Sequence, residues 1–320
     1  MEKSTDPYST MGRRRLSDLP DDLLRRILYF APLKEAASTS ALARRWRTLW
    51  LSSGAVNIDS RNYDHLEDDA KRDAFDHHAA EAVYGRRLWP IKKLAFRYME
   101  GENEDDDSLS YQVYLQVGEL MGLLSAPGAC HVEDLCVGLF FGPCPDEPNS
   151  LYGLSIGTLP SAASLRVLHL SKVMDFCPQG PGSSLSPYPR LTEARLHFCY
   201  VSLGILQAFV DAAPMLGTLE VRAVQLCLFQ DSQYPPAPRS LRLRLPRVTD
   251  LVLDDFYCWG PEGRNTMEIQ EPLLRRFAYE GHVRALYLEP PPEMMARVNL
   301  RFKVPALLVH PDDDGTCQLF

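Results

Sequence analysis

Most of what would mark an enzyme or a membrane protein is missing from this chain of 320 residues. No apolar run reaches the roughly 18 residues that a membrane-spanning helix requires. The opening residues, MEKSTDPYSTMG, lack the apolar stretch of a signal peptide and read as a disordered tail. Glycine-rich phosphate loops of the dinucleotide or Walker type are absent. The eight cysteines (Cys130, Cys136, Cys144, Cys177, Cys199, Cys227, Cys258, Cys317) form no CxxC pair, which removes the usual zinc spacing. They point to free thiols in a reducing compartment, cytoplasmic and/or nuclear. There is no HExxH, and the adjacent His77 and His78 cannot share one helix face. No metal or other cofactor is therefore expected. Net charge is −8, which disfavours a general nucleic-acid binder.

What is present begins at residue 16. Pro20 suits the first turn of a helix, where its missing N–H would be unpaired anyway, and Asp18 or Asp21 suits the positive helix start. Leu23, Leu24, Ile27, Leu28, Phe30 and Ala31 spread over roughly 160° of the helical wheel, more than one short neighbour covers. Pro32 ends that helix. Leu42, Trp46, Leu49 and Trp50 follow at i, i+4, i+7, i+8, so another helix is expected. A module of about 40 residues without crosslinks seldom supports itself. Its surplus apolar surface argues for a partner protein; the plainer reading is a pair of helices capping a larger domain. Residues 1–55 hold 10 Lys+Arg against 6 Asp+Glu, a net +4, whereas the remainder holds 24 against 36, a net −12.

Three blocks stand in register here: Leu19-Pro20 with Leu23-Leu24 and Ile27-Leu28, then Pro32-Leu33-Lys34-Glu35-Ala36, then Arg44-Arg45-Trp46-Arg47 with Leu49-Trp50. Together they closely resemble the F-box, the helical module that joins substrate receptors to cullin-based ubiquitin ligases through a Skp-family adaptor. The resemblance implies a three-helix module over 13–52. It also implies that Leu19, Pro20, Leu23, Ile27, Leu28, Leu33, Leu42, Trp46 and Trp50 divide between a small internal core and the adaptor contact. A basic head would speed encounter with the acidic adaptors of that family.

After Trp50 an irregular stretch leads to a helix around Asp69–Tyr84, whose apolar side is Ala70, Phe75, Ala79, Ala82 and Val83. From residue 91 an apolar-x-x-apolar-x-apolar pattern recurs, starting at Ile91, Val132, Leu165, Leu191, Leu216, Val248, Leu274 and Val283. In each, the fourth and sixth residues point the same way on a strand. Most spacings fit leucine-rich repeats, some with insertions. The last is too short, and Gly281 suggests a tight turn between two strands. Leu203–Ala212 reads as a return helix ended by Pro214. Val298–Val304 alternates as a half-buried strand capping the last repeat. Tyr188-Pro189, Tyr234-Pro235-Pro236 and 178–189 read as surface insertions.

The fold class expected is thus α/β: an N-terminal three-helix F-box, then an irregular leucine-rich-repeat solenoid with a parallel sheet on one face. The rival is another α/β or β-rich domain of similar strand count. Residues 1–12 would be a tail, 13–52 the F-box, 53–90 a linker with one helix, 91–290 the repeats and 291–320 a cap and tail. The resemblance extends to plant F-box proteins with degenerate leucine-rich repeats. It implies a substrate receptor binding a Skp-family adaptor, through it a cullin, and an unidentified target protein. If the apolar hexamer positions face inward, Glu193, Arg195, His197, Glu220, Arg222, Asp250 and Asp254 face outward as a mixed-charge strip for the target. The alternatives are an adaptor-bound scaffold with no degradative role and an esterase-like enzyme using Ser155 of Gly153-Leu154-Ser155-Ile156-Gly157. Against the last, Pro160 breaks the helix that a nucleophile elbow needs. The acidic runs Glu102–Asp107 and Asp312–Asp314 read as solvated loops.

Overall fold

A computed structural model describes residues 16–85, 89–99, 120–140, 159–172, 188–201, 203–222, 225–227, 240–259, 266–270, 273–281, 285–289, 291 and 295–302. Three helices open it: α1 (Asp21–Phe30), α2 (Leu33–Ser38) and α3 (Arg44–Ser52). Pro20 and Pro32 stand immediately before α1 and α2 in extended backbone, as their fixed φ favours. The chain then turns at Gly54, whose φ of +72° is costly for any residue with a Cβ.

Beyond it lies an eleven-stranded sheet in which every described pairing is parallel. Its main path runs through β1 (Ala55–Asp59), β2 (Lys93–Met99), β3 (Asp134–Phe140), β4 (Val167–Ser171), β5 (Glu193–His197), β7 (Thr218–Arg222), β10 (Asp250–Trp259), β12 (Arg276–Gly281) and β14 (Arg297–Phe302). The short β6 (Tyr200–Val201) and β8 (Gln225–Cys227) pair beside it. A separate parallel sheet joins β9 (Ser240–Arg244), β11 (Thr266–Gln270) and β13 (Ala285–Glu289).

Seven of the eight apolar hexamers are strands of the main path in sequence order, and their positions align in register. Leu94, Leu135, Leu168, Ala194, Leu219, Leu251 and Phe277 form one buried row; Phe96, Val137, Leu170, Leu196, Val221, Leu253 and Tyr279 form the next. Each strand start is fixed the same way: one backbone carbonyl accepts two consecutive N–H groups from the following strand. Gly54, Lys92, Glu133, Arg166, Thr192, Gly217, Thr249 and Arg275 serve in turn as acceptors. The core is closed by α4 (Asp68–Tyr84), through Phe75, Ala79, Ala82 and Val83, and by α5 (Leu203–Ala212), through Leu206, Phe209 and Val210.

Several expectations need correction. The stretch after Trp50 is not irregular linker: Val56 and Ile58 are fully buried, and β1 is the first strand of the sheet. Its single alternation was too short to stand out. Ala70 is exposed, and the neighbouring Lys71 is buried instead, its ammonium 2.7 Å from Asp64. Tyr188 is not a surface residue. It lies fully buried against Phe209, its N–H donating to the Ala212 carbonyl, and burial pushes its hydroxyl pKa well up. Gly281 is no turn between paired strands; it closes β12, and the eighth hexamer supplies β13 of the second sheet. On β14, Val298, Leu300 and Phe302 remain about half exposed: among the described residues the strand pairs only with β12, and only the Phe302 ring packs against an aromatic neighbour, Tyr279. The strand is not half-buried in the sense expected.

Candidate functional site

The helical head holds a core of its own: Leu24, Leu28, Ala36, Trp46 and Leu49, with Leu19, Ala31 and Trp50 packed partly against it. Arg45 ties α3 to the start of α1, donating to Asp21 at 2.7 Å and to the Leu19 carbonyl at 2.8 Å. Arg25 donates back to Ser52 at 3.2 Å. The other stripe of α1 is left largely open among the described residues. Leu23, Ile27 and Phe30, at i, i+4 and i+7, are 46%, 44% and 65% exposed, joined by Leu16 at 53% and Leu42 at 70%. The broad apolar arc therefore splits into an inner and an outer half.

This division sorts the nine residues expected at the adaptor contact. Leu28, Leu33 and Trp46 are interior, so they support the surface from behind. Pro20, Leu23, Ile27 and Leu42 are exposed, whereas Leu19 and Trp50 lie between. Leu16 and Phe30 complete the exposed set. The helical wheel contained Phe30, but the pattern alone could not say which flank of the arc faces out.

The head is also anchored to the sheet by contacts that no motif announced. Asn57 of β1 donates both amide hydrogens to the Tyr29 and Ala31 carbonyls, at 3.0 and 2.9 Å, satisfying groups orphaned at the end of α1. Lys93 of β2 lies over the Tyr29 and Phe30 rings at 5.1 and 4.9 Å. Burial, with Asp134 and Glu133 nearby, raises the Tyr29 hydroxyl to about 12. Leu33 belongs to the core of the sheet rather than to that of the head.

On the outer face of the sheet, Glu193, Arg195, His197, Glu220, Arg222, Asp250 and Asp254 do come together. They are largely engaged with one another. Arg195 reaches Glu193 at 2.7 Å and Glu220 at 3.5 Å; His197 and Glu220 are 3.1 Å apart; Arg222 bridges Glu220 and, at 3.1 Å, Asp254. Arg276 pairs with Asp250, and His169 with Glu193. Burial lifts the Glu220 carboxyl, but Arg222, His197 and Arg195 outweigh it and hold its pKa below the usual value. His197 moves the other way: burial favours the neutral ring, overcoming the pull of Glu220.

Gly153–Gly157 with Ser155, both acidic runs and Tyr234–Pro236 lie outside the described residues. Among the described residues no three His, Cys, Asp or Glu are grouped to hold a metal ion, and no helix is long and apolar enough to cross a membrane.

Residues 16–54 match the F-box domain family. The chain thus carries an F-box domain and is similar to F-box proteins of plants. A putative F-box protein of Arabidopsis thaliana is 25% identical over 253 residues, 75% of this chain and 54% of the relative. A putative F-box/LRR-repeat protein is 54% identical over 58 residues, and an F-box/FBD/LRR-repeat protein 44% over 57, both also from Arabidopsis. Each of these two matches covers 18% of this chain and 13% of the relative. The chain thus spans about half of the first relative's length and far less of the other two. No solved structure matches the chain significantly.

Proposed function

We propose that this F-box protein is a substrate-recognition subunit of a cullin-type ubiquitin ligase. The supporting observation is the exposed apolar stripe Leu16, Leu23, Ile27, Phe30 and Leu42 beside the buried core of Leu24, Leu28, Ala36, Trp46 and Leu49. Large apolar side chains clustered at a surface are what a protein interface uses as anchors. On this reading the F-box, residues 13–52, docks on a Skp-family adaptor and through it on a cullin. The parallel ladder is read as an irregular leucine-rich-repeat solenoid, the architecture that the names of two relatives carry. Its outer face, from Glu193 to Asp254, is the surface offered to the target.

The chain contributes position rather than chemistry. A tethered lysine of the target meets activated ubiquitin at high effective concentration, and no acid, base or nucleophile of this chain takes part. Co-purification with adaptor and cullin tests the reading, using the native chain beside Leu23→Asp with Ile27→Asp. Both partners should be recovered with the former and lost with the latter. Recovery of adaptor without cullin would favour a scaffold that uses the adaptor alone, and recovery of neither would refute both.

A further inference from the structure

Two rows of side chains flank the buried hexamer starts along the edge where the strands begin. One row is Lys92, Glu133, Arg166, Thr192, Gly217, Thr249 and Arg275, the carbonyls of which carry the forked hydrogen bonds. The other, two residues earlier, includes Arg190, Met215, Arg247 and Leu273. In a chain of net charge −8 this edge gathers Lys92, Arg166, Arg190, Arg247 and Arg275, all exposed, against one carboxylate among the described residues of the two rows, that of Glu133. Glu133 is engaged loosely, 4.0 Å from Lys92 and 3.9 Å from Arg166. Arg190, Arg247 and Arg275 have no carboxylate partner among the described residues.

A groove of about 450 Å³ lies in this edge, lined by Glu133, Arg166, Pro189, Arg190, Thr192 and Met215. Arg247 borders it, its guanidinium 3.8 Å from the Met215 sulfur. Met215 and Leu273 are 52% and 59% exposed between the cations. Adjacent strands are spaced by about 4.8 Å, so the row from β2 to β12 runs for about 29 Å across six strand steps.

We propose that this basic edge binds an acidic, extended protein segment with apolar residues between its carboxylates. Charge complementarity selects the carboxylates, and the exposed Met215 and Leu273 select the apolar residues. A nucleic acid fits less well, because a continuous phosphate backbone offers no apolar side chains to the exposed Met215 and Leu273 that stand between the cations. The proposal does not depend on adaptor binding, since the edge lies on the sheet and the apolar stripe lies on the F-box.

The direct test is fluorescence anisotropy of a labelled peptide alternating glutamate and leucine, titrated with the full chain. Binding should weaken as salt rises, because exposed charges are screened over about 8–10 Å at physiological ionic strength. Arg190→Glu with Arg247→Glu should weaken it about tenfold or more, whereas Arg190→Lys with Arg247→Lys should keep most of it. A matched lysine–leucine peptide should not bind. Unchanged affinity in the folded charge-reversed chain would overturn the proposal, as would tighter binding of a single-stranded RNA oligomer than of the acidic peptide. Should charge reversal unfold the chain, the salt series and the lysine–leucine peptide decide. Replacing the acidic residues of Glu102–Asp107 by serine should leave the affinity unchanged. A severalfold rise would mean that this run of the chain itself occupies the edge, contradicting a separate partner.

Discussion

The F-box and the parallel ladder use apolar residues in opposite ways. Along α1, Leu24 and Leu28 are hidden while Leu23, Ile27 and Phe30 stand open. Along β4, β5, β7 and β10 both inward residues of every strand are buried, and the outward charges largely pair with one another. The ladder thus satisfies itself on both faces, and the F-box does not. A short helix can direct only part of its circumference at two small neighbours, whereas each strand inside a stacked sheet finds its cover in the next. Open apolar surface thus lies along α1, where a partner is expected, as it does on the edge strand β14, and the charged face is a poorer indicator than its residue types suggest.

The largest effect expected from separating the two regions is loss of cooperative folding in residues 13–52 alone. Without the sheet, Leu33 loses its core and the end of α1 loses Asn57. A sharp thermal transition in the monomeric fragment would show that the F-box needs neither the sheet nor a partner. Next in size, Leu219→Ala or Leu251→Ala in the ladder should cost about 3–4 kcal/mol in denaturant unfolding. Leu23→Ala should cost about 1 kcal/mol or less, since its side chain is already about half exposed. Equal costs at the two sites would erase the contrast.

Asn57→Leu leaves two backbone carbonyls without their donor and should cost about 1–3 kcal/mol. Hydrogen exchange should then quicken in α1 while β5 and β7 stay protected; uniform quickening would place the role of Asn57 elsewhere.

Acidification should weaken the ladder in two steps. His197 has a pKa below its ordinary 6.5, so as pH falls through that value the unfolded chain takes up the proton first and stability declines. Glu220, held below its ordinary 4.5, acts in the same direction at lower pH: its contribution is full above 4.5 and is lost as pH drops through the folded value. Denaturation midpoints measured across pH 7 to 4 should fall, and His197→Gln should flatten the upper part of the curve. A midpoint that rises on acidification would contradict this assignment. A similarly small effect is expected of Arg222→Ala, about 0–1 kcal/mol, because Arg222 is itself a half-exposed surface charge.

The periodic elements were legible in the residues. The hexamers from Ile91 to Leu274 are strands of one sheet, and Leu203–Ala212 is α5, because period 2 and period 3.6 are written by many residues together. What escaped was set by single residues or by distant packing. One alternation, Ala55–Asp59, carries too little signal to mark a strand. Tyr188 sits in a proline-rich neighbourhood that reads as surface, yet α5 folds over it. The anchoring of the F-box by Asn57 depends on two segments 26 to 28 residues apart, which no local pattern connects. For the candidate site, the motif left open how its nine residues divide between core and surface: Leu28, Leu33 and Trp46 are interior, and Leu23, Ile27 and Leu42 are not. On the sheet, period 2 already separates outward from inward residues, whereas the mutual pairing of the outward ones depends on strand order and register.

The measurement closest to the central claim is calorimetric titration of a Skp-family adaptor into the full-length chain and into Leu23→Asp with Ile27→Asp, each with its thermal midpoint recorded. The expected result is a loss of affinity of about 100-fold or more, with a midpoint little changed because both side chains are already exposed. Undiminished affinity in a chain that remains folded would contradict the claim that the open apolar stripe of the F-box is where the partner docks.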